Sequence, residues 1–140
     1  ELAGLDADGV IWSTVIGTLP DEIGTAFKDA YREKYDAEAG LSQAGAQYDL
    51  VHLWAQSAGI AGNETDFDAV NANVKRSTYR GVSGTYRYKP GELTAIPYPD
   101  EVNDPSLGMP HLTFQIQSQE QVLVDPIPYD QGEFQLPAWL

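Results

Sequence analysis

The sequence predicts an α/β fold in which helices stack against a sheet. Three observations carry this. Gly9-Val-Ile-Trp-Ser-Thr14 is a short apolar run rich in β-branched residues, bounded by Asp8-Gly9 and Gly17, as a buried strand would be. Three stretches, 21–36, 42–59 and 66–77, then carry apolar residues at helical spacing. Two late segments, 111–118 and 121–125, alternate like strands. A strand, three helices and further strands in that order indicate helices layered on a sheet.

Each element has a local cause. Before the first helix, Thr18 is a candidate cap, Pro20 suits the first turn, and Asp21 and Glu22 suit the positive helix end. Ile23, Phe27, Ala30, Tyr31 and Tyr35 form its apolar stripe, opposite Lys28, Asp29, Arg32 and Glu33. In the second helix Ser42, Asp49, His52 and Gln56 make one narrow polar stripe. Tyr48, Leu50, Val51, Leu53, Trp54 and Ala55 fill the remainder, so this helix is expected to be largely buried. The Gly59–Gly62 region ends it. Thr65-Asp-Phe-Asp68 opens the third helix as a capping-box variant, and Phe67, Val70 and Val74 give it an apolar side. Asn63-Glu-Thr65 matches a glycosylation acceptor but reads as part of that helix start. Gly81-Val-Ser-Gly84 is a turn leading to a strand over 83–88, and the proline-rich stretch 89–110 is an irregular connection. Leu112-Thr-Phe-Gln-Ile-Gln117 and Gln121-Val-Leu-Val124 are strands joined by a turn at Ser118-Gln-Glu120.

The first strand lacks an obvious parallel neighbour within the chain. A parallel sheet needs flanking strands and covered faces, so more polypeptide is expected to belong to the fold.

Composition narrows the function. Hydrophobic residues make up 42% of the 140, which suits a packed core rather than a disordered chain. With 8 basic and 21 acidic residues the formal net charge is −13, so nucleic acid is not an expected partner. The absence of cysteine excludes thiol catalysis, thiolate metal sites and disulfides. No apolar run is long enough to span a bilayer, and Glu1-Leu-Ala-Gly-Leu-Asp6 does not read as a secretion signal. Neither a G-x-S-x-G nor an H-E-x-x-H pattern occurs, and no calcium or phosphate loop is evident. His52 and His111 read as structural or solvated residues. The expectation is a binding protein without catalysis, metal or cofactor.

Several motifs carry a family resemblance. Gly9–Thr14 resembles a strand leading into an interlobe crossover. Ala26-Phe-Lys-Asp-Ala-Tyr-Arg-Glu-Lys-Tyr35 resembles an F-x-x-x-Y-x-x-x-Y helix. Ala46-Gln-Tyr-Asp-Leu-Val-His-Leu53 resembles a Y-D-A-V helix. Asp68–Ser77 with Tyr79-Arg-Gly-Val-Ser-Gly84 resembles D-x-x-A-V-x-x-A-L followed by F-x-G-V-x-G. The ending Gly132-Glu-Phe-Gln-Leu-Pro-Ala-Trp-Leu140 completes the order. Together these resemble the C-terminal part of the type I periplasmic solute-binding proteins of branched-chain-amino-acid-type ABC transporters. The long segment Pro90–Met109 departs from the shorter D-x-x-G turn of many relatives.

The resemblance implies a two-lobed protein, incomplete without its N-terminal part. Residues 1–14 would end the distal lobe, and 15–88 would supply three helices and an edge strand of the N-terminal lobe. The stretch 89–110 would cross between lobes, and 111–140 would return to the distal lobe with the tail. The expected partners are the N-terminal part of the same protein, a small polar solute and a membrane permease. The expected location is periplasmic or otherwise extracytoplasmic. A ligand-sensing domain of a receptor or regulator with the same fold is the alternative.

Candidate ligand-facing residues follow from position. Trp12, Ser13 and Thr14 end the first strand at the expected crossover, where α/β folds place ligands. Gln43 and Gln47 share a side of the second helix with Leu50 and Trp54 near its start, where uncharged amides can meet a polar solute. The resemblance places Gln43 at the position that approaches the interlobe cleft.

Overall fold

The structure is a computed structural model that describes residues 7–137. Its elements are β1 (Ile11–Thr14), α1 (Glu22–Tyr35), α2 (Gln43–Ala61), α3 (Phe67–Arg76), β2 (Tyr79–Gly81), β3 (Gly84–Tyr86), β4 (Leu112–Gln117) and β5 (Glu120–Asp125). Every helix and strand expected over these residues forms, within two residues at most boundaries. β2 was not anticipated, since three residues ending in glycine carry no readable alternation.

β1, β4 and β5 form one sheet in the order β1-β4-β5. β1 therefore has a neighbour inside the chain, contrary to expectation: it pairs antiparallel with β4, Trp12 opposite Phe114 and Thr14 opposite Leu112. Alternation identifies strands but not partners, and this pairing joins segments about a hundred residues apart in the sequence. β4 and β5 form a hairpin whose turn residues Ser118 and Gln119 both have positive φ, 53° and 69°. Such turns match the twist of the flanking strands.

Leu112, Phe114 and Leu123 bury one face of this sheet with Leu19. Trp12 lies flat on Phe114, ring centroids 4.8 Å apart at 18°, and Leu41 and Tyr129 pack around the cluster. The other face is also covered. Gln115 is fully buried: its amide Nε2 donates to the Gln135 carbonyl at 2.7 Å, and its Oε1 accepts from the Gln135 N–H at 2.9 Å. Gln117 Nε2 reaches the Glu133 carbonyl at 2.8 Å. The two glutamines thus tie the C-terminal segment along β4.

The helices start where side-chain acceptors meet free N–H groups. For α1 the cap is Asp21, not Thr18: Asp21 Oδ1 accepts from Gly24 N at 2.8 Å. Thr18 is buried instead, because Leu19 plugs the core and its N–H donates to the Val82 carbonyl at 2.9 Å. A Cβ on Gly24 would lie 1.8 Å from the Leu19 carbonyl oxygen, so that approach requires glycine. For α3 the cap is Asp66, which accepts from Ala69 N at 3.0 Å, while Thr65 bonds to Asn63. α2 ends at Gly62 with φ 69°, Gly59 being inside the helix.

α2 packs on α3, where Leu53, Ala58 and Val70 are buried and Asn73 Nδ2 donates to the Ser57 carbonyl at 3.1 Å. The connection after β3 is ordered by its own bonds: Thr85 Oγ1 donates to the Ser106 carbonyl at 2.6 Å, and Thr85 N to the Gly108 carbonyl at 2.9 Å. Among the described residues, no helix is long and apolar enough to cross a membrane.

Candidate functional site

The expected ligand-facing residues come from two places, the end of β1 and the first turns of α2. Main-chain bonds bring the neighbourhoods of these segments together. Thr18 N donates to the Leu41 carbonyl at 3.3 Å, two residues before Gln43, and Leu19 N bonds the β2–β3 turn. The side chains differ in environment. Trp12 is half-buried and stacked on Phe114, so one face of its indole belongs to the sheet core. Ser13 is exposed. Thr14 is half-buried, its Oγ1 accepting from Ile16 N at 3.4 Å. Gln43 and Gln47 are both exposed, one turn apart on α2.

The most constrained polar group is one that the sequence placed on the narrow polar stripe of α2. Asp49 is 0% exposed and lies beneath the β2–β3 turn. Its Oδ1 accepts from Val82 N at 2.8 Å; its Oδ2 accepts from Ser83 N at 3.0 Å and from the Tyr86 hydroxyl at 3.1 Å. A carboxylate accepting three hydrogen bonds is a stable way to bury this group. Gly81 makes room for it, since a Cβ there would stand 2.3 Å from the Asp49 carboxyl carbon. Of the other members of that stripe, His52 and Gln56 face solvent and Ser42 is half-buried. The readable signal was the glycine-flanked Gly81–Gly84 turn, which admits a side chain against its main chain.

Burial, reinforced by the Asp49 charge, pushes the Tyr86 phenol well above the ordinary tyrosine range. Burial raises Tyr79 and Tyr88 as well. Arg80 pairs with the Asp21 carboxylate and donates to the Gly81 carbonyl, tying the hairpin to the N-terminal end of α1. Among the described residues, no cluster of three or more His, Cys, Asp or Glu side chains could hold a metal.

A groove of about 770 Å³ opens between α1 and α2. It is lined mainly by Ile23, Phe27, Tyr31, Tyr35, Tyr48 and Val82, and neither Gln43 nor Gln47 lines it. Its walls are aromatic and largely uncharged, with Glu22 and Lys34 among its lining.

The chain is similar over 99% of its length to a crystal structure of a Silicibacter pomeroyi protein provisionally described as a branched-chain amino acid ABC transporter. The identity is 37% and the TM-score 0.87. The chain spans 37% of the length of that structure. No protein-family model and no curated protein matches the chain. The fold is thus α/β and corresponds to the C-terminal portion of a two-lobed type I periplasmic binding protein. The resemblance in the sequence motifs and the likeness of structure point to the same architecture.

Proposed function

We propose that this chain is part of the extracytoplasmic solute-binding receptor of an ABC importer, which holds a small polar solute between two lobes. The observation that carries this reading is the match, 37% identical at TM-score 0.87, to a protein provisionally described as a branched-chain amino acid ABC transporter. Lobe closure over the solute would shift an open–closed equilibrium, and the closed form would be offered to the membrane permease. In this reading 1–14 and 111–140 belong to the distal lobe, 15–88 to the N-terminal lobe, and 89–110 to the crossover. Ser13, Thr14, Gln43 and Gln47 offer hydrogen-bonding groups to the solute, and the free face of Trp12 offers an apolar wall. The remaining contacts come from the rest of the protein.

Calorimetric titration of the intact protein against amino acids, small amides and small aromatic acids tests the reading. A ligand bound with one-to-one stoichiometry is expected. Gln43→Ala should then weaken it by roughly five- to tenfold, the loss of one buried hydrogen bond worth about 1 kcal/mol. The melting temperature without ligand should barely move, because Gln43 is exposed in this chain. Unchanged affinity would remove Gln43 from the site, and failure of the whole panel would remove the solute class.

A further inference from the structure

Of the asparagines in the chain, Asn63, Asn71, Asn73 and Asn103, only Asn63 has a hydroxyl residue two positions on. Asn63-Glu64-Thr65, with no proline in the middle, is the acceptor pattern for a glycan on an asparagine amide. By sequence these residues read as the start of α3, where a threonine can act as a cap. The structure gives that role to Asp66 instead, which accepts from Ala69 N at 3.0 Å. The tripeptide therefore lies outside both helices, between Gly62, which ends α2, and Asp66, which caps α3.

The surroundings suit an acceptor amide. Asn63, Glu64 and Thr65 are all exposed. Asn63 Oδ1 accepts from Thr65 N at 3.0 Å and from the Thr65 hydroxyl at 2.8 Å. Both bonds go to the oxygen, and among the described residues Asn63 Nδ2 donates to no protein group. Asp66 N closes the turn on the Asn63 carbonyl at 3.3 Å. Hydrogen bonds this exposed open at small cost, so the turn can unwind into the acceptor groove of a transferase. Phe67, exposed by 68%, opens α3 four residues on and offers a ring face to the CH face of a sugar. α2 is 19 residues long, about 28 Å, and separates Asn63 at one end from Gln43 at the other. A glycan on Asn63 therefore clears the proposed solute contacts.

We infer that Asn63 is a site of N-linked glycosylation, accepting a saccharide from a lipid-phosphate-linked donor. This rests on the reading of the protein as extracytoplasmic, since such donors are used on the outer side of the membrane. In the transfer Asn63 Nδ2 forms a bond to the anomeric carbon of the saccharide. The anomeric C–O bond to the phosphate breaks, and its electron pair leaves with the lipid phosphate. One amide proton passes to the transferase and from there to water. The Thr65 hydroxyl is the recognition element, and in the folded turn it already bonds the amide that is modified.

The test is mass spectrometry of peptides from the intact mature protein, isolated from the cells that make it naturally. The peptide carrying Asn63 should gain the mass of a saccharide, and fragmentation should place that mass on the Asn63 side chain. In variants made in the same cells, Asn63→Gln and Thr65→Val should lose the added mass, whereas Thr65→Ser should keep it. Circular dichroism confirms that each variant is folded, as expected for substitutions in an exposed turn. An unmodified Asn63 in the mature protein overturns the inference. So does a saccharide that persists in Thr65→Val, or one that in Asn63→Gln is found on the Thr65 hydroxyl. Unmodified protein that binds solute would leave the proposed function standing, and modified protein that binds none would refute that function while the glycan site stands.

Discussion

Replacing Asp49 by alanine is the sharpest test of how this chain is held together. The carboxylate is fully buried and serves three donors: the N–H groups of Val82 and Ser83 and the hydroxyl of Tyr86. Removing it leaves all three without a partner in a site closed to solvent. Each buried donor without an acceptor costs about 1–3 kcal/mol, so the lower part of that range, three times over, gives about 3–5 kcal/mol. Asp49→Asn keeps the shape but presents N–H to groups that are themselves donors. One oxygen still accepts, and the cost falls to about 2–3 kcal/mol. Urea unfolding of the intact protein reads the total. A two-lobed protein need not unfold in one step, so amide exchange at Val82 and Ser83 supplies the local reading. Both amides should exchange faster in Asp49→Ala than in the parent. A loss below about 1 kcal/mol with unchanged exchange at both amides would refute the clamp.

Three further outcomes follow from the same geometry. Tyr86 has its folded-state pKa raised above the ordinary phenol value, chiefly by burial and next by the Asp49 charge. Its contribution is therefore fully present below the unfolded pKa and is lost as pH rises through the folded one. Stability should fall in strongly alkaline solution, less steeply in Tyr86→Phe, with Tyr79, Tyr88 and Lys89 contributing to the remaining slope; identical pH profiles would exclude the linkage. Gln115→Leu should free the C-terminal segment from β4 at a cost of about 1–3 kcal/mol, seen as faster proteolysis within 131–137. Gly81→Ala should destabilise by about 1–3 kcal/mol, because its methyl group would overlap the Asp49 carboxylate. The double variant with Asp49→Ala should lose less than the sum of the two.

Much of the candidate site was legible as residue type and helix position, but not as environment. Gln43 and Gln47 were placed on one side of α2 by spacing alone, and both are exposed there. Trp12 was readable as the end of a strand, but its stacking on Phe114 required knowing that β1 pairs with β4. Asp49 was assigned to a polar stripe, since helical period cannot distinguish a solvated carboxylate from one roofed by a hairpin.

Among the described residues, the sequence by itself determined the order and approximate limits of the three α-helices and of all strands but β2. These depend on local period, caps and glycines, whose energetics act within a turn or two. Tertiary structure alone decided the antiparallel pairing of β1 with β4, the burial of Asp49 and Gln115, and the shift of the α1 cap from Thr18 to Asp21. Each depends on a partner far away in the chain: Phe114 for Trp12, Val82 for Leu19 and Asp49, Gln135 for Gln115. Local propensity carries no information about such partners, because the free energy that selects them comes from the desolvation and hydrogen bonding of groups that meet only in the folded protein.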